Sequence, residues 1–434
     1  MKMRPFQLIV IAVFVLGALI GLYVFSNFEP AANPGAEIGR VTIWGTLPQK
    51  DVREVMLLLA DTNESFNDVV YVEMSERNFN RGFADAISTG AGPDLVLVSH
   101  ELVLSNTARL TTIPFTSISE RTYRDSFVPL ADVFKKGDGF YGIPFAVDPL
   151  VLYYNTSHLD SAGYALPPTT WEAVLGQAAA LTKITSDQRI VRSGVAFGEY
   201  SNIANARAII SLLLLQSGVS ITAPSNSLLK STLMADPIDA NRGSAPSEAA
   251  INFYTQFANP AKSVYSWNRS LPEARQAFIA GDLTYYVGFA SEHAAIAAAN
   301  PNLLFDMAAV PQPGTSETRI SYGKGYVLAV PESSSNSAGA FAIADSLSRT
   351  VPTDAYISLL RLAPARRTLL VAPENDPYAP IYFREALYAR AWLSPTPEET
   401  DSIFGAMISN IGSGRKDVLE ALNTADQTLN QSLR

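Results

Sequence analysis

A single acid set among apolar residues is the feature of this sequence best suited to chemistry. Asp148 lies in Gly139 to Asn155, GFYGIPFAVDPLVLYYN, between Pro144 and Pro149. A carboxylate can accept hydrogen bonds, ligate a metal or transfer a proton, and burying one unpaired is costly. The two prolines restrict the backbone around it. The run Val151 to Tyr154 has the β-branched and aromatic character of a buried strand. The spacing therefore predicts a loop carrying Asp148 that leads into a strand. The carboxylate either bonds nearby backbone amides or is held at a cleft for a ligand.

The other reactive residue types form no catalytic pattern. His100, His158 and His293 are scattered, with no H-E-x-x-H pairing, and the chain has no cysteine. No metal and no cofactor is expected. Gly90-Ala91-Gly92 and Gly412-Ser413-Gly414 lack the third glycine of a dinucleotide loop and read as turns. Ser227-Leu228-Leu229-Lys230 fits the S-x-x-K nucleophile pattern but sits in a polar stretch without an S-D-N partner, a chance match. Acids abound, but no local arrangement suggests the facing carboxyls of a glycosidase, about 5–9.5 Å apart.

The elements that must position Asp148 alternate between strand and helix. Strands are expected at Ile38 to Gly45, Val69 to Met74 and Asp94 to Ser99, with helices at Gln49 to Ala60 and Phe79 to Ser88. This order implies a parallel sheet covered on both faces. From Thr169 onward longer helices appear: one from Thr170 to about Lys183, with Thr169 or Thr170 as its cap, then Asn205 to Gln216. Ile221 to Ala245 reads as a polar loop, and the last quarter as mostly helical. Further strands are expected at Thr284 to Val287, Phe305 to Val310 and Gly325 to Val330. About 400 residues beyond the N-terminal segment suffice for two full cores. The net charge of −9 argues against nucleic acid as a partner.

Phe6 to Phe25 is apolar except for Gln7, and Lys2 and Arg4 precede it. Twenty helical residues span roughly 30 Å, a bilayer core. The segment is longer than a signal peptide's apolar region, and no A-x-A site follows it. The reading is an uncleaved single-pass anchor with a cytoplasmic N-terminus, then a short stalk to about residue 37. The bulk of the chain would lie outside the cell or in the periplasm.

Six segments also carry a resemblance: VTIWG (Val41 to Gly45), GAGPDLVLVSHE (Gly90 to Glu101), YGIPFAVDPLVLYYN (Tyr141 to Asn155), PPTTWEAVLGQAAALTK (Pro167 to Lys183), AFIAGDLTYYVGF (Ala277 to Phe289) and NIGSGRKDVLEALNTADQTLN (Asn410 to Asn430). In this order and spacing the chain resembles the extracellular solute-binding proteins of ABC transporters, the family of the maltose-binding and other sugar-binding proteins. The resemblance implies an α/β, two-lobe periplasmic-binding-protein fold of type II with hinge crossovers, here behind one N-terminal transmembrane helix. Lobe one would be 38–146 and 305–349; lobe two, 147–304 and 350–434; residues 1–37 would be anchor and stalk.

It also implies ligand contacts. Asp148 and Glu101 fall where family members place acids that bond sugar hydroxyls. Trp44 and Glu76 end the first and second strands, and Glu199 and Tyr200 fall where lobe two offers an acid and a ring. Phe289 falls just after the Gly288 of the family's G-x-W turn, where Phe289 and Ala290 stand and the tryptophan is replaced, which departs from a maltodextrin-type stack. Trp267 and Tyr154 complete the expected contacts. Trp171 reads as core, Asp94 as structural, and Arg366 and Arg367 as surface charges.

The implied function is capture of a sugar and delivery to ABC permease subunits, by a monomer that is not an enzyme. Alternatives are another polar solute such as a glycerol phosphate or polyol, a sensor subunit, or an anchored glycan-processing enzyme.

Overall fold

Alternating apolar residues make Val41–Gly45 (β1) a strand with one buried face: Val41 and Ile43 are enclosed, Thr42 and Trp44 half-buried. The structure is a computed structural model describing residues 38–187, 189–225, 228–234, 245–374 and 376–433. The expected anchor at Phe6 to Phe25, its stalk, and Ser227 of the S-x-x-K match lie outside the described residues. Among the described residues no helix is long and apolar enough to cross a membrane.

Gln49–Ala60 (α1) repeats Val52, Val55, Met56 and Leu59 at helical spacing and buries that stripe. Val69–Glu73 (β2), Glu76–Ser88 (α2) and Leu95–Ser99 (β3) follow. β1 pairs in parallel with both β2 and β3. β3, enclosed on both faces, is apolar up to Ser99.

Next come Ile143–Asn155 (β4), Trp171–Leu181 (α3), Ile190–Val195 (β5), Ala206–Gln216 (α4), Leu283–Phe289 (β6), Phe305–Ala308 (β7), Ser321–Ala329 (β8), Pro397–Gly412 (α5) and Val418–Ser432 (α6). Thr170 caps α3, its side chain accepting from the Ala173 amide at 3.2 Å. The main path of the sheet runs β2-β1-β3-β8-β4-β6-β5, with β7 pairing on β4.

β4 is where the sequence expectation fails. Asp148 is not in a loop but in the middle of a continuous 13-residue strand. Prolines remove ladder donors, so they suit bulges and places where pairing changes. Pro144 stands opposite the register shift between Tyr326 and Val327 of β8. Pro149 is the last residue paired with β8, and from Leu150 onward the strand pairs with β6. One strand thus joins a part of the sheet built on β1, β2, β3 and β8 to a part built on β5, β6 and β7.

Two smaller differences follow the same logic. β5 was not expected, because Arg192 and Ser193 interrupt its apolar pattern. Part of the expected polar loop is a hairpin, Thr222–Ser225 against Leu228–Ser231. Around β5 and β6 the core is aromatic: Phe197 meets Trp171, Tyr254 and Phe257 at centroid distances of 5.4 to 5.7 Å.

Candidate functional site

The parallel strands β1, β2 and β3 end at one edge of the sheet, and that edge is charged. In open α/β sheets ligands bind outside the carboxyl ends of the strands. Here β2 leads into Glu76 at the start of α2, and β3 leads into His100 and Glu101. Ser99 Oγ donates to Glu76 Oε1 at 2.9 Å. β8 runs antiparallel to β3 with Tyr326 opposite Ser99, which brings Lys324 level with Glu101. Lys324 Nζ lies 3.2 Å from Glu76 Oε2, 3.5 Å from Glu101 Oε2 and 5.7 Å from the centre of the Phe289 ring.

The second cation comes from α4. Arg207 Nη2 is 3.0 Å from Glu101 Oε1, and its Nη1 is 2.8 Å from Asp401 Oδ2 and 3.0 Å from the Pro397 carbonyl. Tyr200 donates to the other Asp401 oxygen at 2.6 Å. Burial pushes the Glu101 carboxyl up, but Lys324 and Arg207 outweigh it and hold the group at about 2. Glu101 Oε2 faces the Lys324 ammonium at 3.5 Å and accepts no closer hydrogen bond.

His100 lies behind this row. Its Nδ1 accepts from the Gly325 amide at 3.2 Å, which assigns the ring proton to Nε2, 3.4 Å from the Tyr322 hydroxyl. Burial lowers its pKa to about 4, against the pull of Glu101, so the ring is neutral at pH 7. A side chain at Gly325 would collide with Leu130, so glycine is what lets the amide come this close.

Asp148 sits beside Lys324 in the register of β4 and β8. Its Oδ1 accepts from the Ser291 amide at 3.1 Å and its Oδ2 from the Ser291 hydroxyl at 2.6 Å. Burial raises its pKa to about 7, which the two bonds from Ser291 only moderate. Among the described residues no three acids or histidines are placed to hold a metal ion.

An edge of paired acids and cations, at the point where one strand crosses between two parts of a sheet, suits recognition of a polar guest. The sequence matches the family described as bacterial extracellular solute-binding protein over residues 61–379. The chain belongs to that family.

No curated protein matches this solute-binding protein. Solved structures share its mixed α/β periplasmic-binding-protein fold. A cyclic α-maltosyl-1,6-maltose binding protein from Arthrobacter globiformis superposes with a TM-score of 0.72 at 17% identity, covering 91% of this chain and 98% of that one. A cyclo/maltodextrin-binding protein complexed with maltotetraose gives 0.69 at 15%, covering 91% and 97%. An ABC transporter solute-binding protein from Thermotoga lettingae, bound with α-D-tagatose, gives 0.65 at 19%, covering 91% and 100%.

Of the contacts expected from sequence, the fold gathers Glu76, Glu101, Tyr200 and Phe289 around one ion cluster, with Asp148 beside it. Trp44 is half-buried at the end of β1. Glu199 adjoins Tyr200 and pairs with Arg269 at 3.3 Å. Trp267 and Tyr154 are elsewhere. Trp267 is 1% exposed, in the core of the second part, with Nε1 donating to Asn202. Tyr154 donates to Asp306 across β7, near the far end of β4. Burial claims the Trp267 ring, and pairing with Asp306 holds the half-buried Tyr154.

Asp94 accepts from the Thr42 amide at 3.0 Å, and Trp171 is buried with Nε1 on Gln216, both structural. Arg367 is an exposed surface charge that donates to the Phe127 carbonyl, whereas Arg366 is half-buried and donates to Ser348. Arg207, Lys324, Asp401 and Ser291 were missed. Arg207 and Lys324 carried a readable signal, each being the sole charge in an otherwise apolar helix or strand. Asp401 and Ser291 carried none.

Proposed function

We propose that this solute-binding protein is a membrane-tethered receptor that captures a sugar or oligosaccharide between two lobes and delivers it, unaltered, to the permease of an ABC transporter. Lobe one is 38–146 with 305–349, and lobe two is 147–304 with 350–434. They hinge where β4 passes between them. Phe6 to Phe25 tethers the chain at its cytoplasmic N-terminus, and the bulk works outside the membrane. The observation that carries the reading is the ion cluster around Glu101 at the strand ends, with Asp148 beside it on the crossing strand.

Carboxylates accept from hydroxyls, each such bond contributing about 1.5–3 kcal/mol, and micromolar binding needs about 8 kcal/mol in total. A neutral polyhydroxy solute is favoured over a phosphate, because Lys324 and Arg207 are already paired with Glu76, Glu101 and Asp401. Two of the solved structures named above hold maltotetraose and α-D-tagatose, which supports the same solute class.

The test is a thermal-shift screen against sugars and polyols, since a guest that binds only the folded form raises Tm. Tm unmoved across the screen would overturn the sugar reading. Once a binder is found, Asp148→Ala should weaken it about 5- to 150-fold, because Ser291 engages only two of the carboxylate's roughly four lone pairs. An unchanged affinity in a destabilised variant would reduce Asp148 to a structural tie.

A further inference from the structure

Arg207 joins parts of the chain that the two-lobe reading puts on opposite sides of the cleft. Glu76, Glu101 and Lys324 belong to lobe one; Arg207, Tyr200 and Asp401 belong to lobe two. The guanidinium is the sole charge on α4, and its side chain is 17% exposed. Three acceptors from two distant segments fix it: Glu101 Oε1 at 3.0 Å, Asp401 Oδ2 at 2.8 Å and the Pro397 carbonyl at 3.0 Å. Tyr200 holds the remaining Asp401 oxygen at 2.6 Å. The Glu101 side chain is only 5% exposed, so this pair is little screened by water, unlike a surface ion pair.

We infer that Arg207 is an internal competitor for the solute: its pair with Glu101 latches the lobes together before any guest arrives, and leaves Glu101 Oε2 to Lys324 alone, 3.5 Å away. The inference rests on the two-lobe reading. A solute must either break the Arg207–Glu101 pair or bond at Oε2, where Lys324 is the sole and more distant partner, 3.5 Å away. Arg207 is then a specificity-determining residue, because only a guest able to replace a guanidinium at Glu101, or to reach past it, opens and refills the site. A contact made in one state alone shifts the population toward that state, so deleting the guanidinium shifts the free protein to the open form.

The chain has no cysteine, so labels go only where they are introduced. Spin labels at Asp85→Cys and Gln427→Cys, both exposed, report the distance between the lobes; labels at Asp85→Cys and Arg121→Cys, within lobe one, serve as control. The full chain in detergent, without sugar, is compared with R207Q, D401N and R207K. One dominant interlobe distance is expected in the parent. A broadened or displaced distribution is expected in R207Q, a smaller change in D401N, partial recovery in R207K, and an unmoved control pair throughout. R207Q or D401N folded and with the parent distribution overturns the latch, as does a parent already as broad as R207Q. D401N keeps the test alive should R207Q fail to fold. The sugar reading fails separately: R207Q that opens while no sugar moves Tm leaves the latch standing, and sugars that raise Tm while R207Q changes nothing sink the latch alone.

Discussion

Asp148, on β4, and Glu101, in the turn after β3, are buried acids on either side of Lys324, 5% and 4% exposed, yet their carboxyls are driven in opposite directions. Burial raises Asp148 to about 7, and Ser291 answers with one amide and one hydroxyl. Burial acts on Glu101 too, but Lys324 and Arg207 override it and hold the group at about 2. Desolvation is common to both sites. What differs is the compensation: Asp148 has the two donors of Ser291 and a weaker pull from Lys324, offset by Glu292, whereas two cations in direct contact keep Glu101 ionised well below neutrality.

The comparison is most easily broken by removing a cation. Lys324→Met leaves Glu101 with Arg207 alone and takes the cation from Glu76. Breaking a buried pair in this way costs about 3–5 kcal/mol, read by urea unfolding. A loss under about 1 kcal/mol would mean that water reaches Glu101 and that the two acids do not differ in kind.

The pH dependence carries opposite signs at the two sites. Glu101 is depressed from 4.5 to about 2, so the folded form sheds its proton more readily than the unfolded chain. Its contribution is full above about 4.5 and is lost as pH falls from there toward 2. Asp148 is raised from 3.8 to about 7, so the folded form holds its proton longer. Stability from this group falls as pH climbs from about 4 to 7, and the cost is full above 7. Urea titrations across pH should show Asp148→Asn flattening the decline between about 4 and 7. Glu101→Gln should flatten the loss below about 4.5. The same change in both variants would contradict the distinction.

Ser291→Ala tests the Asp148 side. It removes the 2.6 Å hydroxyl bond, should cost about 1–3 kcal/mol, and should push the Asp148 carboxyl higher still. A downward shift would mean that another group takes over. The smallest effect is expected at the edge of the cluster. Tyr200→Phe loses a bond to the half-exposed Asp401, worth about 0.5–1.5 kcal/mol of stability, and leaves the Glu101 titration in place.

Legibility in the sequence followed the range of the forces involved. Val52, Val55, Met56 and Leu59 announced α1 because a helix buries what its own period aligns. Thr170 announced the start of α3 because a cap needs only local amides. The middle of β4 was misread because Pro144 and Pro149 break a strand locally. They are tolerated because a bulge in β4 itself, at Phe145 beside Pro144, and a change of neighbour after Pro149 fall at those positions. Trp267 was misread because ring type does not say which surface will enclose it.

Residue types by themselves determined that strands and helices alternate, that no disulfide can hold the fold, and that Asp148, Arg207 and Lys324, as lone charges in apolar runs, each had to find a partner. Only the tertiary structure decided which partner. Opposite Lys324 it set Glu76 and Glu101, through the antiparallel register of β3 and β8; beside Arg207 it set Asp401, through the packing of two helices distant in the chain. The need for compensation is fixed by the solvation energy of one group. Its fulfilment depends on distances between groups that nothing in the local chain controls.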